Sequence, residues 1–359
     1  MSVSSLATDG VYVAALGACT PVGRDPWSAA AAVRAGISGI ADHPYMIDAE
    51  SEPLRVAFAS WLDVDCQGQR RLEALLFPVI EQAAAPCDPK RHEDVRLALA
   101  LGLPSARPGL ADDLEATMRR RVSEAFSSRF LAVATFPVGH AAGFIAMHAA
   151  CAKLLDGAFD ACVLAGVDSY LEPATLAWLE ETDQLHGAGP LNNAWGFIPG
   201  EGAGAVLLAT GNALARLGAE PVGRVLSVGR GFEQNRIRTE TVCTGQGLTA
   251  AFREALAGLP PDGKVTDVFC DMNGEPYRAD EFGFACLRTK EAFVSASDFV
   301  APADCWGDAS AASAALGLVL AAIAWQKRYA NGPYALVWGS SESGERGAAL
   351  LEFPARAGV

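Results

Sequence analysis

The feature that most constrains this chain is that it repeats itself. Residues 140–169 read as a helix, "HAAGFIAMHAACAKLLDG", a turn, "AFD", and a strand, "ACVLAGVDS". Residues 308–340 read as a helix, "DASAASAALGLVLAAIAWQKRYA", a turn, "NGP", and a strand, "YALVWGS". Each unit is followed by a glycine-punctuated apolar strand, "GEGAGAVLLAT" at 200–210 and "SGERGAALLEF" at 343–353. A third parallel links "VYVAALG" at 11–17 with "PVGRVLSVGRG" at 221–231, since each opens its half of the chain. Ala-rich helices followed by Val/Leu strands recur in any α/β chain, but here element order, helix length and the trailing Gly-Glu strand all match. The expectation is two copies of one arrangement, residues 1–215 and 216–359.

Both repeated helices are apolar nearly all round, with Ala141, Ala142, Ala146, Ala149 and Ala150 in the first and Ala309, Ala311, Ala312, Ala314 and Ala315 in the second. Such helices are buried on every side, as between two sheets. A chain of 359 residues, 51% hydrophobic and with 36 glycines, can build a core of that kind from closely packed small residues.

Charge narrows the function classes. Lys and Arg number 28 against 42 Asp and Glu, a formal balance of −14, which works against nucleic acid or an anionic membrane as a partner. Arg119, Arg120 and Arg121 read as a solvated helix face. The nine cysteines are odd in number and show neither CxxC nor zinc-ligand spacing, so reduced thiols, no metal site and a cytoplasmic location are expected. "MSVSSLATDG" lacks the character of a signal peptide, and "ASAALGLVLAAIAW" is too short to span a bilayer, so no membrane insertion is expected.

The turn "FPVGHAAG" enters the first repeated helix, a place that commonly presents a nucleophile; the residue there is His140. "YVAALGACTPVG", "AMHAACAKLLDGAFDACVLAGVDS", "GFIPGEGAGAVLLA" and "GSSESGERGAALLEF" together resemble the β-ketoacyl synthase branch of the thiolase-like superfamily, in order and spacing. "PGEGAG" before a buried strand is the most specific of these words. The resemblance implies an α/β thiolase-like fold of five layers, α-β-α-β-α, built from two similar halves. It also implies a dimer formed through the strand at about Arg129 to Thr135.

The same resemblance places the acyl-accepting Cys of active members at His140, and their two His residues at Asn273, in "FCDMNGEPY", and Asp308, in "DCWGDASAAS". The family's Lys aligns near Ala303, and its glycine-rich gate corresponds to "SSESGE" around Ser341 to Glu345. Every catalytic position is altered while the structural words remain. No neighbouring carboxylate is evident in the sequence to orient the His140 ring. A carboxylate at position 308 stands where an enolate needs donors or positive charge. Cys151 is expected to face the core, His148 to be a core histidine, and His43, His92 and His186 to lie in polar loops.

The expectation is therefore a catalytically inactive β-ketoacyl-synthase-like protein without cofactor or metal, a homodimer or heterodimer with another thiolase-fold chain. Two roles fit, a chain-length-factor-like subunit and an adaptor associated with type VI secretion effectors, with the shortened loops between Pro104 and Phe130 and the loss of the gate leaning toward the adaptor; an acyl carrier protein or a secretion effector is the further partner. The alternative is an active 3-oxoacyl-acyl carrier protein synthase or acyltransferase of fatty-acid or polyketide biosynthesis, with an atypical site around His140. Its general-base form would use His140, Asn273 and Asp308 together.

Overall fold

The computed structural model describes residues 10–126, 129–189, 192–237, 239 and 241–354. The first part of the chain forms β1 (Val11–Cys19), α1 (Pro26–Arg34), β2 (Ile40–Ile47), β3 (Pro53–Ala57), α2 (Gly68–Ala84), β4 (Leu97–Gly102), α3 (Leu114–Ala125) and β5 (Ala132–Phe136). There follow α4 (Ala142–Leu155), β6 (Ala161–Ser169), α5 (Pro173–Glu181), β7 (Glu201–Thr210) and α6 (Gly211–Leu217). The second part forms β8 (Gly223–Phe232), α7 (Gln246–Leu256), β9 (Asp267–Cys270), α8 (Pro276–Thr289), β10 (Phe299–Val300) and α9 (Ala303–Trp306). It ends with α10 (Ser313–Gln326), β11 (Tyr334–Ser340) and β12 (Glu345–Glu352). The divide read from the sequence at 215/216 falls inside α6; the second set of strands starts at Gly223.

The repetition is visible in the strand order, β10-β9-β11-β12-β8-β1-β7-β6-β4-β5. Read from either edge inward, two parallel pairings are followed by two antiparallel ones: β5, β4, β6, β7, β1 on one side and β10, β9, β11, β12, β8 on the other. The two sets are joined rather than separate, because β1 and β8 pair antiparallel at Val11↔Val225, Tyr12↔Arg224 and Val13↔Gly223. Both opening strands are the antiparallel edges of their sets, so each has one free ladder edge and the two edges satisfy each other.

Alternation along the strands builds the layers. On β4, Ala98 and Ala100 face an inner core that also holds α4, α10 and one face of β11 and β12. Leu97, Leu99 and Leu101 face outward against α2 and α3. In the second set Leu336, Trp338, Ala348 and Leu350 face outward against α7 and α8. The result is helix, sheet, helix, sheet, helix, with α4 and α10 as the middle layer, as the resemblance implied.

The glycine words provide clearance for that middle layer. A Cβ at Gly204 on β7 would lie 2.7 Å from the backbone N of Leu316 on α10, and one at Gly347 on β12 would lie 2.2 Å from Cβ of Phe144 on α4. The two central helices are not equally enclosed. Ala314 to Ala324 of α10 are buried without a gap, whereas Ile145, His148, Ala149 and Cys151 of α4 are half-exposed. His148 is therefore not a core histidine, and α4 is not buried on every side. His43 also departs from expectation: it lies in β2, only 7% exposed, and its Nδ1 accepts the Met46 N–H at 3.0 Å. The Glu of "PGEGAG" has a structural role, since Glu201 accepts bonds from Arg71 of α2 at 2.6 and 2.7 Å and from the Ser169 hydroxyl at 2.9 Å. None of the described helices is long and apolar enough to cross a membrane.

Candidate functional site

Gly139, with φ of +70°, reverses the chain after β5, and one turn of 3-10 helix, Gly139–Ala141, delivers His140 to the start of α4. Asp308 reaches the same point from the segment between α9 and α10. Its backbone is held by the lead-in to "PGEGAG": Asp308 N–H donates to Ile198 O at 2.8 Å and Gly200 N–H donates to Asp308 O at 3.0 Å. The His140 Nε2 lies 2.8 Å from Asp308 Oδ1 and 2.9 Å from Oδ2. Asn273, in the turn before α8, donates from Nδ2 to Asp308 Oδ2 at 2.7 Å and to Glu275 at 2.9 Å. The three positions picked out in the sequence thus meet, and a carboxylate does orient the His140 ring, contrary to the sequence reading.

A fourth residue completes the cluster. Arg278 of α8, 1% exposed, donates through Nη1 to Asp271 at 2.9 Å and to the Ser340 carbonyl at 2.9 Å, and through Nε to Glu275 at 3.3 Å. Its Nη2 stands 3.2 Å from His140 Nε2. Two donors cannot share that nitrogen, so the close carboxylate decides the tautomer: Nε2–H donates to Asp308 and Arg278 is a neighbouring charge. Burial opposes the imidazolium, but the Asp308 carboxylate outweighs it and Arg278, and the His140 pKa is raised. Burial likewise works against the Asp308 carboxylate, yet His140 and Arg278 hold it well below the usual range. The two shifts agree on an imidazolium–carboxylate pair. Burial raises the Glu275 pKa, with Arg278 opposing.

Only His140 of the three borders the cavity at this end of the molecule. That cavity, about 250 Å³, is lined among others by Arg107, Tyr170, Trp178, Ser310 and Glu342. Asp308 borders a separate space of about 20 Å³, enough for a single water, and Asn273 borders neither. Arg107 forms one wall, fixed to Asp168 and the Ser169 carbonyl and lying 4.1 Å from the Tyr170 ring centroid. No cysteine lines the cavity. Burial pushes the Cys151 and Cys162 thiols up to about 12, so neither offers a thiolate at neutral pH.

Ser341 accepts the Ala141 N–H at 2.8 Å and donates to the Val138 carbonyl, tying the turn between β11 and β12 to the turn that carries His140. Ala303 opens α9 and brings no charge. Sequence reasoning missed Arg278, Asp271, Glu275 and Arg107. A signal for Arg278 existed: it shares the buried stripe of α8 with Phe282 and Ala285, where a charge needs a buried partner.

Comparisons place this geometry. A model of the β-ketoacyl synthase N-terminal domain matches residues 122–213. No curated protein sequence matches the chain. Among solved structures, a chain of a type II polyketide synthase acyl-carrier protein complex with its ketosynthase bound to the hexaketide aligns with a TM-score of 0.77 and 14% identity, over 96% of this chain and 99% of that one. The ishigamide ketosynthase/chain length factor gives 0.75 and 14%, over 97% and 100%. The ketosynthase from module 6 of the bacillaene synthase of Bacillus subtilis 168 gives 0.74 and 14%, over 96% and 72%. The fold is the thiolase-like fold of ketosynthases.

Proposed function

We propose that this protein does not condense acyl units and acts by binding, as one half of an assembly with a second thiolase-fold chain. One observation carries the reading: the group at the nucleophile position is a buried imidazole whose Nε2 is committed to Asp308. A ring nitrogen that donates its N–H to a carboxylate has no free electron pair with which to attack a thioester. Asp308 places negative charge where decarboxylation develops more of it; loss of a single oxyanion donor commonly costs on the order of 100-fold in rate. The nine cysteines are unpaired, in keeping with a cytoplasmic setting.

The partner surface in this reading is β5, which ends the sheet and leaves Leu131 beside it 65% exposed. A chain-length-factor-like role is favoured over a secretion adaptor by the likeness to a ketosynthase/chain length factor pair, and an acyl carrier protein is then the second partner to test.

The experiment is intact-protein mass after incubation with acyl thioesters and malonyl carrier protein, with a product assay and native mass in parallel. The expected result is no adduct, no ketoacyl product, and an assembly larger than one chain alone or with a ketosynthase. A hydroxylamine-sensitive acyl adduct on His140 overturns the proposal in favour of a working acyltransferase. His140→Cys is expected to give no condensation, because Asp308 and Asn273 still replace the donors; ketoacyl product from that variant likewise overturns it.

A further inference from the structure

Away from His140, where α1 packs against the C-terminal end of α10, the surface carries a groove of about 430 Å³. Ile323 lies at its base, Trp27 and Tyr329 line it with Ala31, and Arg34 and Lys327 border it. The helix α10 is 14 residues long, so roughly 20 Å separates this groove from the cluster at the helix's other end. Nothing in the reading of His140 bears on it.

The two cations are held in place by the rings. Lys327 Nζ lies 4.5 Å from the Trp27 ring centroid and Arg34 Cζ lies 4.3 Å from that of Tyr329. Such contacts restrict long flexible side chains before any ligand arrives. Among the described residues neither cation forms an ion pair and no acidic residue lines the groove. In a chain whose formal charge is −14, two positioned cations without carboxylates are a local inversion of the surface.

The shape selects between ligand sizes. Trp27 is 47% exposed, and Arg34 and Lys327 are also exposed. A small molecule here could not reach the near-complete burial that small-molecule sites give. An extended or helical segment can lie along an open groove, with one side chain between the rings and acidic groups on the cations.

We propose that the groove formed by α1 and the end of α10 docks an acidic segment of a partner protein, one that places a large apolar side chain between Trp27 and Tyr329 and carboxylates on Arg34 and Lys327. Charge complementarity sets the occupant: the two cations favour an acidic segment, whereas a second whole copy would bring a formal charge of −14 against the same charge on this chain.

The test is selection of short random peptides displayed against the whole protein, followed by binding of the enriched peptides in solution. The expected winners carry Asp or Glu flanking Phe, Trp or Leu, and Arg34→Glu/Lys327→Glu weakens them by roughly tenfold or more. Lys90→Glu/Arg91→Glu, with the same charge change on exposed residues elsewhere, leaves binding within about twofold. Ala31→Trp fills the groove while keeping both cations and is expected to weaken binding as strongly, which covers the case of a charge-reversed variant that folds poorly. Enriched peptides without carboxylates, equal binding to wild type and variants, or no enrichment each overturn the proposal. So does self-association of the wild type that Arg34→Glu/Lys327→Glu abolishes.

Discussion

At the start of α4 the chain turns through Gly139, with φ of +70°, and supplies a cation, His140. At the start of α10 it turns through Ser310, with φ of +38°, and supplies an anion two residues earlier, Asp308. Ser310 adopts that backbone without glycine's freedom, and Asp308 holds it by accepting the Ser310 N–H at 2.7 Å. The ends of β6 and β11 also bury ion pairs, of opposite sign on the facing strand and at different distances from the paired glycines. Ser169 stands opposite Glu201, which is paired with Arg71, while Ser340 stands opposite Arg346, which is paired with Glu281. The repeated backbone brings both helix starts to one point, but each half places its buried charge at a different offset from the turn. Where the two starts meet, opposite charges make a bond between the halves.

That comparison breaks most severely at Asp308. Asp308→Ala leaves the buried His140 ring and the Asn273 amide without the carboxylate they share, beside the Arg278 charge, and denaturant titration is expected to show a loss of about 3–5 kcal/mol. An unchanged midpoint would mean that the cluster does not join the halves. Gly347→Ala tests the packing side of the repeat: the new methyl meets Phe144 on the other half's central helix, and a loss of about 1–3 kcal/mol is expected from thermal unfolding. A matching loss in Gly204→Ala, through α10, would show that both central helices are seated equally closely.

The dependence on pH sharpens the contrast in sign. The folded pKa of His140 is raised above its unfolded value near 6.5, so its contribution is complete below pH 6.5 and is lost as pH rises through the folded pKa. The Asp308 carboxyl is depressed below 3.8, so its contribution is present above that pH and is lost as pH falls. The pair is therefore strongest between these limits. Above pH 6.5 stability should fall by up to about 1.4 kcal/mol per pH unit until the folded pKa is passed, and His140→Gln should flatten that slope. Equal slopes in both proteins would remove the imidazolium from the account. The smallest effect is expected for Asn273→Ala, which deletes half-buried hydrogen bonds to Asp308 and Glu275, about 1–2 kcal/mol by the same titration.

Much of the fold was legible because the repeat is written in burial. The strands of both sets carry apolar residues on two faces, and the glycines at 204 and 347 stand in the same place of each closing strand, so element order and layering could be read directly. The convergence of His140, Asn273 and Asp308 was readable only through the family resemblance, since they are far apart in sequence. What the sequence did not disclose was the pairing within that group. Arg278 sits in "EPYRADEF", which reads as an ordinary charged helix start until the helix is seen to bury that face. The seam between β1 and β8 was hidden for a related reason: each is an apolar strand, and nothing in either specifies which edge it shares. His43 was misread because "ADHPYMI" contains a proline and polar residues, features that suit a hairpin strand as well as a loop.

The placement of β1 has a consequence for synthesis. This strand is made long before its ladder partners, β7 and β8, which begin at Glu201 and Gly223. At about 5–20 residues per second, roughly ten to forty seconds pass before either edge can be closed. For that interval an apolar strand has α2 packed on one face but no strand to pair with, and chains terminated ahead of β7 should be insoluble and chaperone-bound. The two halves are thus tied in time as well as in space: one edge of β1 closes on β7 of the first half, and the other only once the second half has begun at β8.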